Sequence, residues 1–525
     1  MRTKSVHQRA FAFLLLLLFA FALRGVAARP NIIVFMTDDQ KSKAVGYNNP
    51  QILTPNIDAL ARRGLIFDRC YATTSICMPA RCSMMTGMYE FKTGVNFESG
   101  KLGQETWHST AYPALLKDAG YVVGFGGKFG FGVSKDVHRA DFDEWAGWGG
   151  QGSYQTGHSK NGGMKDSGYA KEHPHVTRAL GAFGRDFVRK HAGDRQPFCL
   201  NIWFKAPHSP HDYIDPIDEA KYAGVTFDPP GNWGHEGKPG STHIPVQAKV
   251  SRQWIKGDAY YPRKFQDTVT KYNKLIAGVD DAVQMILDEV ERQGASGDTV
   301  IIFTSDNGYF GGAHGMGDKV LLYEEGARIP LVIVDPRVPS VQRGRRANSL
   351  AGNIDLAPTI LQLAGVTPPA AMDGVSLVPV LQDPDASARE DLLLIQNWGW
   401  AADDFSRSLA VLHDRYKYLY WCYGDKNIAP AEELYDLSRD PLELTNLIDQ
   451  SEFSSVRSEL RKRYDAHLES WKRNAVPDET WTRMGRVFDR NIPWKSKALR
   501  TGRSAGKFEV LESSYQELTG AKVPE

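Results

Sequence analysis

Asn31-Ile32-Ile33-Val34-Phe35-Met36-Thr37-Asp38-Asp39 holds five consecutive apolar residues, rich in β-branching, that run straight into two adjacent carboxylates. Such a run has the length and composition of a strand buried on both faces. Four more segments share the pattern: Tyr121–Phe125, Leu200–Phe204, Thr299–Thr304 and Pro330–Val334. Helical patterns lie between them. The clearest is Tyr272, Leu275, Ile276, Val279, Val283, Ile286, Leu287, Val290, which stops before Gly294. Another starts at Thr54-Pro55, with Thr as N-cap, and ends at Gly64. Alternating strands and helices predict an α/β fold with a large, mainly parallel sheet flanked by helices.

In such sheets ligands bind beyond the carboxyl ends of the strands. Asp38 and Asp39 follow the first run, Lys128 follows Tyr121–Phe125, Lys205 and His208 follow Leu200–Phe204, and Asp306 and Asn307 follow Thr299–Thr304. Four hard oxygen ligands, lysines and a histidine are thus expected at one sheet edge. Taken alone, Asp38-Asp39 reads as a turn and His208, between Pro207 and Pro210, as a rigid-turn histidine. Together, the three carboxylates and the amide suit calcium or magnesium, because adjacent like charges call for a cation.

The remaining sequence sets the frame. The chain has 525 residues, with 63 Lys+Arg against 62 Asp+Glu; 42% of residues are hydrophobic and 24% charged. This is globular composition, and its neutral balance gives no general affinity for polyanions, so nucleic acid is not an expected partner. Phe11–Leu23 is an apolar run of 13 residues, preceded by Arg2, Lys4 and Arg9 and followed by Val26-Ala27-Ala28. It reads as a signal peptide over 1–28, too short to span a bilayer. The expectation is a secreted or periplasmic protein without a membrane span. The lack of any Asn-x-Ser/Thr sequon favours a bacterial source. The catalytic domain is expected over 29–385. A smaller α+β domain follows over 386–475, with a hairpin at Ser408–His413 and Tyr416–Trp421 forming a short antiparallel sheet and a helix near Ser454–Arg473. A basic tail covers 476–525, a solvated strip with eight basic residues against Asp489 between Arg483 and Lys507. Gly147–Gly163 reads as a long surface loop. Cys70, Cys77, Cys82, Cys199 and Cys422 make an odd count, and their pairing is left open.

Ser75-Ile76-Cys77-Met78-Pro79-Ala80-Arg81, continuing to Thr86-Gly87, decides the chemistry. Pro79 fits the first turn of a helix to about Met85, with Cys77 at the N-terminus, where N–H groups and the dipole favour an anion. Cys77-x-Pro79-x-Arg81 resembles the signature of type I sulfatases of the alkaline-phosphatase superfamily. The resemblance extends through Thr54–Asp58, Thr304–Gly308, Lys319, Tyr323–Gly326, Arg328–Pro330 and Glu433–Leu437. It implies an alkaline-phosphatase-like fold and a sulfuric ester hydrolase. It also implies conversion of Cys77 to 3-oxoalanine (formylglycine) by a formylglycine-generating or anaerobic sulfatase-maturating enzyme.

The hydrated aldehyde would attack sulfur, and its second hydroxyl would later release sulfate, which a plain Ser or Cys cannot do. By the same resemblance Asp38, Asp39, Asp306, Asn307 and residue 77 are the calcium ligands. Arg81 holds the formylglycine, Lys128 and Lys319 bind sulfate, His208 contacts sulfate and protonates the leaving oxygen, and His314 faces substrate. One departure stands out. The family commonly reads Gly-Lys-x-His where this chain has Gly127-Lys128-Phe129-Gly130, and His138 is the nearest substitute in sequence. Asp141–Gly163, with Trp145, Trp148 and Tyr154, is either a sugar-stacking loop or a self-packed one. The expected substrate is a sulfated carbohydrate or polysaccharide. The alternatives are a phosphonate or phosphate-ester hydrolase with the same nucleophile, and a sulfated-glycan-binding protein with impaired turnover.

Overall fold

The computed structural model describes residues 29–97, 100–234, 244–249, 251–260, 262–397, 407–422, 429–493 and 496–497. The leader expected over 1–28, the tail beyond Lys497 and Trp494-Lys495 lie outside the described residues.

Eight strands form the main sheet: β1 (Asn31–Asp38), β2 (Leu65–Tyr71), β3 (Val122–Lys128), β4 (Glu144–Trp148), β5 (Phe198–Pro207), β6 (Thr299–Ser305), β7 (Leu331–Val334) and β8 (Arg346–Gly352), in spatial order β4-β3-β5-β1-β6-β7-β2-β8. All neighbours are parallel except at β7, which runs antiparallel to β6 and β2. β1 lies at the centre, paired with β5 on one side and β6 on the other. Its side chains alternate between two cores, Ile32, Val34 and Met36 in one and Ile33 and Phe35 in the other. Burial of both faces is the physical reason its sequence is apolar without alternation.

The helices that matter here are α1 (Pro55–Arg63), α2 (Cys77–Thr86), α3 (Val176–His191), α4 (Pro262–Arg292), α5 (Ser454–Asn474) and α6 (Glu479–Val487). Leu180 and Val188 of α3 and Val279 and Ile286 of α4 cover the Ile33/Phe35 face, while Cys82, Met84 and Met85 of α2 cover the other. Two details differ from expectation. Thr54 stands at the start of α1 but does not cap it: its hydroxyl donates to Asp58 and accepts from the Gly46 N–H. The free N–H groups of Asn56 and Ile57 are taken instead by Asp280, 3.1 and 2.8 Å away on α4. The Gly147–Gly163 stretch is also not wholly loop. Gly147 and Trp148 belong to β4, which pairs along β3, and Gly162–Lys165 is a helical turn.

A second sheet, β9 (Asp391–Gln396), β10 (Ser408–His413), β11 (Tyr416–Trp421) and β12 (Ala431–Asp436), is antiparallel in the order β12-β11-β10-β9. Its core is continuous with residues of the large unit, including Tyr71, Phe91 and Leu321. At the junction Lys417 is fully buried, its Nζ 2.8 Å from Glu324 and 2.7 Å from Glu443. α6 lies past the expected boundary at 475, yet Trp481, Met484 and Val487 are buried in this same core. Lys497 is buried as well, so the start of the basic tail is packed against the small sheet rather than solvated. All five cysteines are buried and unbridged. No helix among the described residues is long and apolar enough to cross a membrane.

Candidate active site

β1, β3, β5 and β6 are adjacent and parallel, so the residues leaving their carboxyl ends emerge together. α2 adds its first turn, with Cys77 its first residue and Gly87 in the left-handed conformation closing its far end. Cys77, Asp38, Asp39, Arg81, Lys128, Asp306, Asn307 and Lys319 are all buried.

Arg81 is the hub. Its Nε donates to Asp306 at 2.8 Å, its guanidinium lies 3.4 Å from Asp38, and it also donates to the Lys128 carbonyl. Lys128 donates to Asp38, and Lys319 to Asp39. Asn307 donates to Asp39 at 2.8 Å, leaving its own Oδ1 and the Asp38 Oδ1 without a hydrogen-bond donor among the described residues. Two buried acceptor oxygens left open beside three carboxylates fit a hard divalent cation such as calcium, which takes carboxylate and amide oxygens. Asp39, Asp306, Asn307 and Asp38 would hold it.

The electrostatics agree. Burial pushes the Asp39 carboxyl up to about 7, with Asp38 and Asp306 adding to the rise and Lys319 opposing it. Burial would raise Asp38 too, but the charges of Lys128, Arg81 and Lys319 hold it well below the usual carboxylate range. Lys319 stays charged: burial works against its ammonium, and Asp39, Cys77 and Asp38 outweigh it. Backbone strain gathers here as well. Asp39 has φ +71°, held by its N–H to Asp306 and by the Tyr272 hydroxyl donating to its carbonyl. Val320, a β-branched residue next to Lys319, has φ +96°.

His208 joins the group, with Nε2 3.9 Å from Asp39. Its Nδ1 lies 2.6 Å from the Ser209 carbonyl, which can only accept, so Nδ1 carries the proton and Nε2 faces the site as a lone pair. Burial, reinforced by Lys319, Lys128 and Lys205, pushes its pKa well below the usual value. It is therefore neutral in this arrangement and needs a second proton before it can donate from Nε2.

Other expected residues lie elsewhere. His138 sits in an aromatic cluster, stacked on Phe129 at 4.6 Å and edge-on to Trp107, and burial lowers it to about 4. An uncharged histidine packed among rings is no substitute for the family histidine. His314, expected to face substrate, is fully buried in a separate cluster with Glu325 and Glu443, its Nε2 3.0 Å from Asn232. Trp148 and Tyr154 are buried, and Phe125 and Arg139 cover Trp145. These rings pack the loop instead of facing sugar. The Tyr154 hydroxyl donates to the His208 carbonyl at 2.6 Å and so steadies the histidine turn.

Gly130 is a backbone necessity. It has φ +89°, and a Cβ there would stand 2.6 Å from Arg81 Cδ. Sequence reasoning missed Gln151, whose carboxamide accepts from Lys128 Nζ at 2.6 Å and donates to Cys77 Sγ at 3.7 Å. No motif marks it; only the path of the loop after β4 brings it here.

Comparison with known proteins follows the same lines. The sulfatase family model matches residues 30–366, and a model described as N-sulphoglucosamine sulphohydrolase, C-terminal, matches residues 312–470. The chain belongs to the sulfatase family and is a sulfuric ester hydrolase. It is 26% identical over 519 residues to an N-acetylglucosamine-6-O-sulfatase of Bacteroides thetaiotaomicron, covering 86% of this chain and 88% of that protein. A protein solved in complex with its substrate D-glucosamine-2-N,6-O-disulfate superposes with a TM-score of 0.69 at 25% identity, covering 86% of this chain and 99% of the other. The phosphonate monoester hydrolase of Agrobacterium radiobacter shares the fold, with a TM-score of 0.64 at 19% identity over 84% of this chain and 96% of its own.

Proposed function

We propose that this sulfatase is exported and hydrolyses sulfate esters on a sulfated carbohydrate, using calcium and a formylglycine formed from Cys77 by a maturation enzyme. The observation that carries the reading is one cluster in which Cys77, at a helix N-terminus, meets three carboxylates, one amide, Arg81 and two lysines. Calcium and formylglycine, when present, would supply charge neutralisation and an oxygen nucleophile at residue 77.

The chain's own residues do the rest. Asp38, Asp39, Asp306 and Asn307 hold the cation. Arg81 keeps two of those carboxylates in place. Lys128 and Lys319 change partners from Asp38 and Asp39 to the sulfuryl oxygens and stabilise charge there. An anionic substrate raises the His208 pKa, so that its Nε2 takes a proton from solvent and can then give it to the leaving alcohol. The glucosamine-type substrates named for the relatives support an amino sugar carrying a sulfate.

The test is sulfate release from a panel of sulfated glycans by enzyme co-produced with a maturation enzyme, with calcium, beside Cys77→Ala. Mass spectrometry of the peptide around residue 77 reads the conversion. Release by the parent and none by the variant supports the reading. Formylglycine at 77 with no release from any sulfate ester, but turnover of phosphonate or phosphate esters, replaces it.

A further inference from the structure

Gln151 reaches Lys128 and the group at position 77 from the loop after β4, and three features fix it there. β3 and β4 are in register with Lys128 opposite Trp148, so the chain leaving β4 crosses directly over the Lys128 end of the sheet. Gly152 has φ +64°, and a Cβ at that position would lie 2.4 Å from Trp148 Nε1, so the loop lies flat on the tryptophan edge. Beyond it, the fully buried Asn161 accepts from the Ser153 N–H at 2.7 Å and donates to the carbonyls of Ser153 and Gln155 at 3.1 and 2.8 Å. A buried amide that ties the loop to itself on both sides holds position 151 without help from ligand.

The result is an exposed residue with both ends of its carboxamide engaged by buried groups. Oε1 takes the Lys128 ammonium, which orients the amide so that its N–H, and not its oxygen, faces residue 77. An N–H aimed at the reacting group from a fixed loop is a donor preorganised for negative charge on that group or on a sulfuryl oxygen beside it.

We infer that the Gln151 carboxamide is a catalytic hydrogen-bond donor of this enzyme, binding the group at position 77 and a sulfuryl oxygen through Nε2 while holding Lys128 through Oε1. This rests on the formylglycine sulfatase reading above. A carboxamide has no proton to lose or gain near neutral pH, so it aligns and stabilises but cannot act as the base that the family histidine is credited to be.

The experiment compares parent, Gln151→Ala and Gln151→Glu, each calcium-loaded and with formylglycine confirmed by mass spectrometry. Two probes are used: turnover of the sulfated-glycan panel above, and binding of inorganic sulfate by calorimetry. Gln151→Glu is nearly isosteric and keeps an oxygen for Lys128, but replaces the donor with a carboxylate. The expected result is a kcat 10²–10³-fold lower in both variants, with KM changed less than threefold, sulfate binding at least tenfold weaker and thermal midpoints unchanged. If Gln151 only props up Lys128, Gln151→Glu keeps parental kcat and sulfate affinity, and that result overturns the inference. Parental values in Gln151→Ala overturn it as well. If the parent turns over no sulfate ester but its sulfate affinity falls in both variants, the sulfatase reading fails and the contact stands. If the parent neither turns over the ester nor binds sulfate, both fail.

Discussion

Replacing Gly130 with alanine, or with the histidine that the family commonly carries there, should damage this protein instead of restoring it. The backbone at 130 has φ +89°, a conformation that costs an L-residue about 1–2 kcal/mol. The new Cβ would meet Arg81 Cδ at 2.6 Å, well inside contact distance. Arg81 cannot swing away cheaply, because it is fully buried, bonded to Asp306 at 2.8 Å and to the Lys128 carbonyl, and lies over the Trp203 ring. Overpacking against a pinned side chain adds about 1–3 kcal/mol, so Gly130→Ala should lose about 2–5 kcal/mol, adding the strain and overpacking ranges. The assay is urea denaturation followed by tryptophan fluorescence, with sulfate release measured on matured protein. A midpoint lowered in Gly130→Ala and lowered further in Gly130→His, with no gain in turnover for either, is the expected outcome. A Gly130→Ala protein as stable as its parent would refute the steric argument. A Gly130→His protein with faster sulfate release would show that the loop can accommodate the histidine after all.

Calcium should raise the thermal midpoint, and its affinity should rise with pH up to about 7, where Asp39 loses its proton, by no more than tenfold per pH unit; a pH-independent affinity would contradict the carboxylate assignment. His138 is held neutral, its pKa lowered to about 4 by burial. Its stabilising effect is present above the ordinary histidine value of about 6.5 and is lost as pH falls towards 4, up to about 3 kcal/mol. His138→Leu should flatten that part of the pH–stability curve, and a curve identical to the parent's would rule this out. Lys417→Met strands Glu324 and Glu443 in the core and should cost about 3–5 kcal/mol in denaturant titration. Adding Glu443→Gln should recover part of the loss, and no recovery would mean that the pair is not coupled through Lys417.

The parts of the site that could be read from the chain share one property: each follows a buried strand directly. Once β1, β3, β5 and β6 are recognised as buried strands, Asp38, Asp39, Lys128, His208, Asp306 and Asn307 must appear at the same sheet edge, because parallel strands end on the same side. Cys77 and Arg81 were readable for a similar local reason, a proline-led helix start carrying a motif of fixed spacing. Strands β2, β4 and β8 were not readable. Arg346–Gly352 reads as neither apolar nor alternating, and becomes a strand because β2 offers it a partner.

Everything that depends on where a long connection travels was settled only by packing. Gln151 reaches Cys77 across 74 positions because Gly152 and Asn161 press its loop onto Trp148. Asp280 caps a helix that starts 225 residues earlier, at Pro55. His138 and His314 are as polar in sequence as His208, yet one stacks on Phe129 and the other is buried against Asn232 and Glu325. Sequence fixes what a strand end carries, since the next residue is at most 3.8 Å away. Whether a distant side chain joins that end depends on which of many loop paths buries the most surface with every polar group satisfied, and that balance exists only in the folded whole.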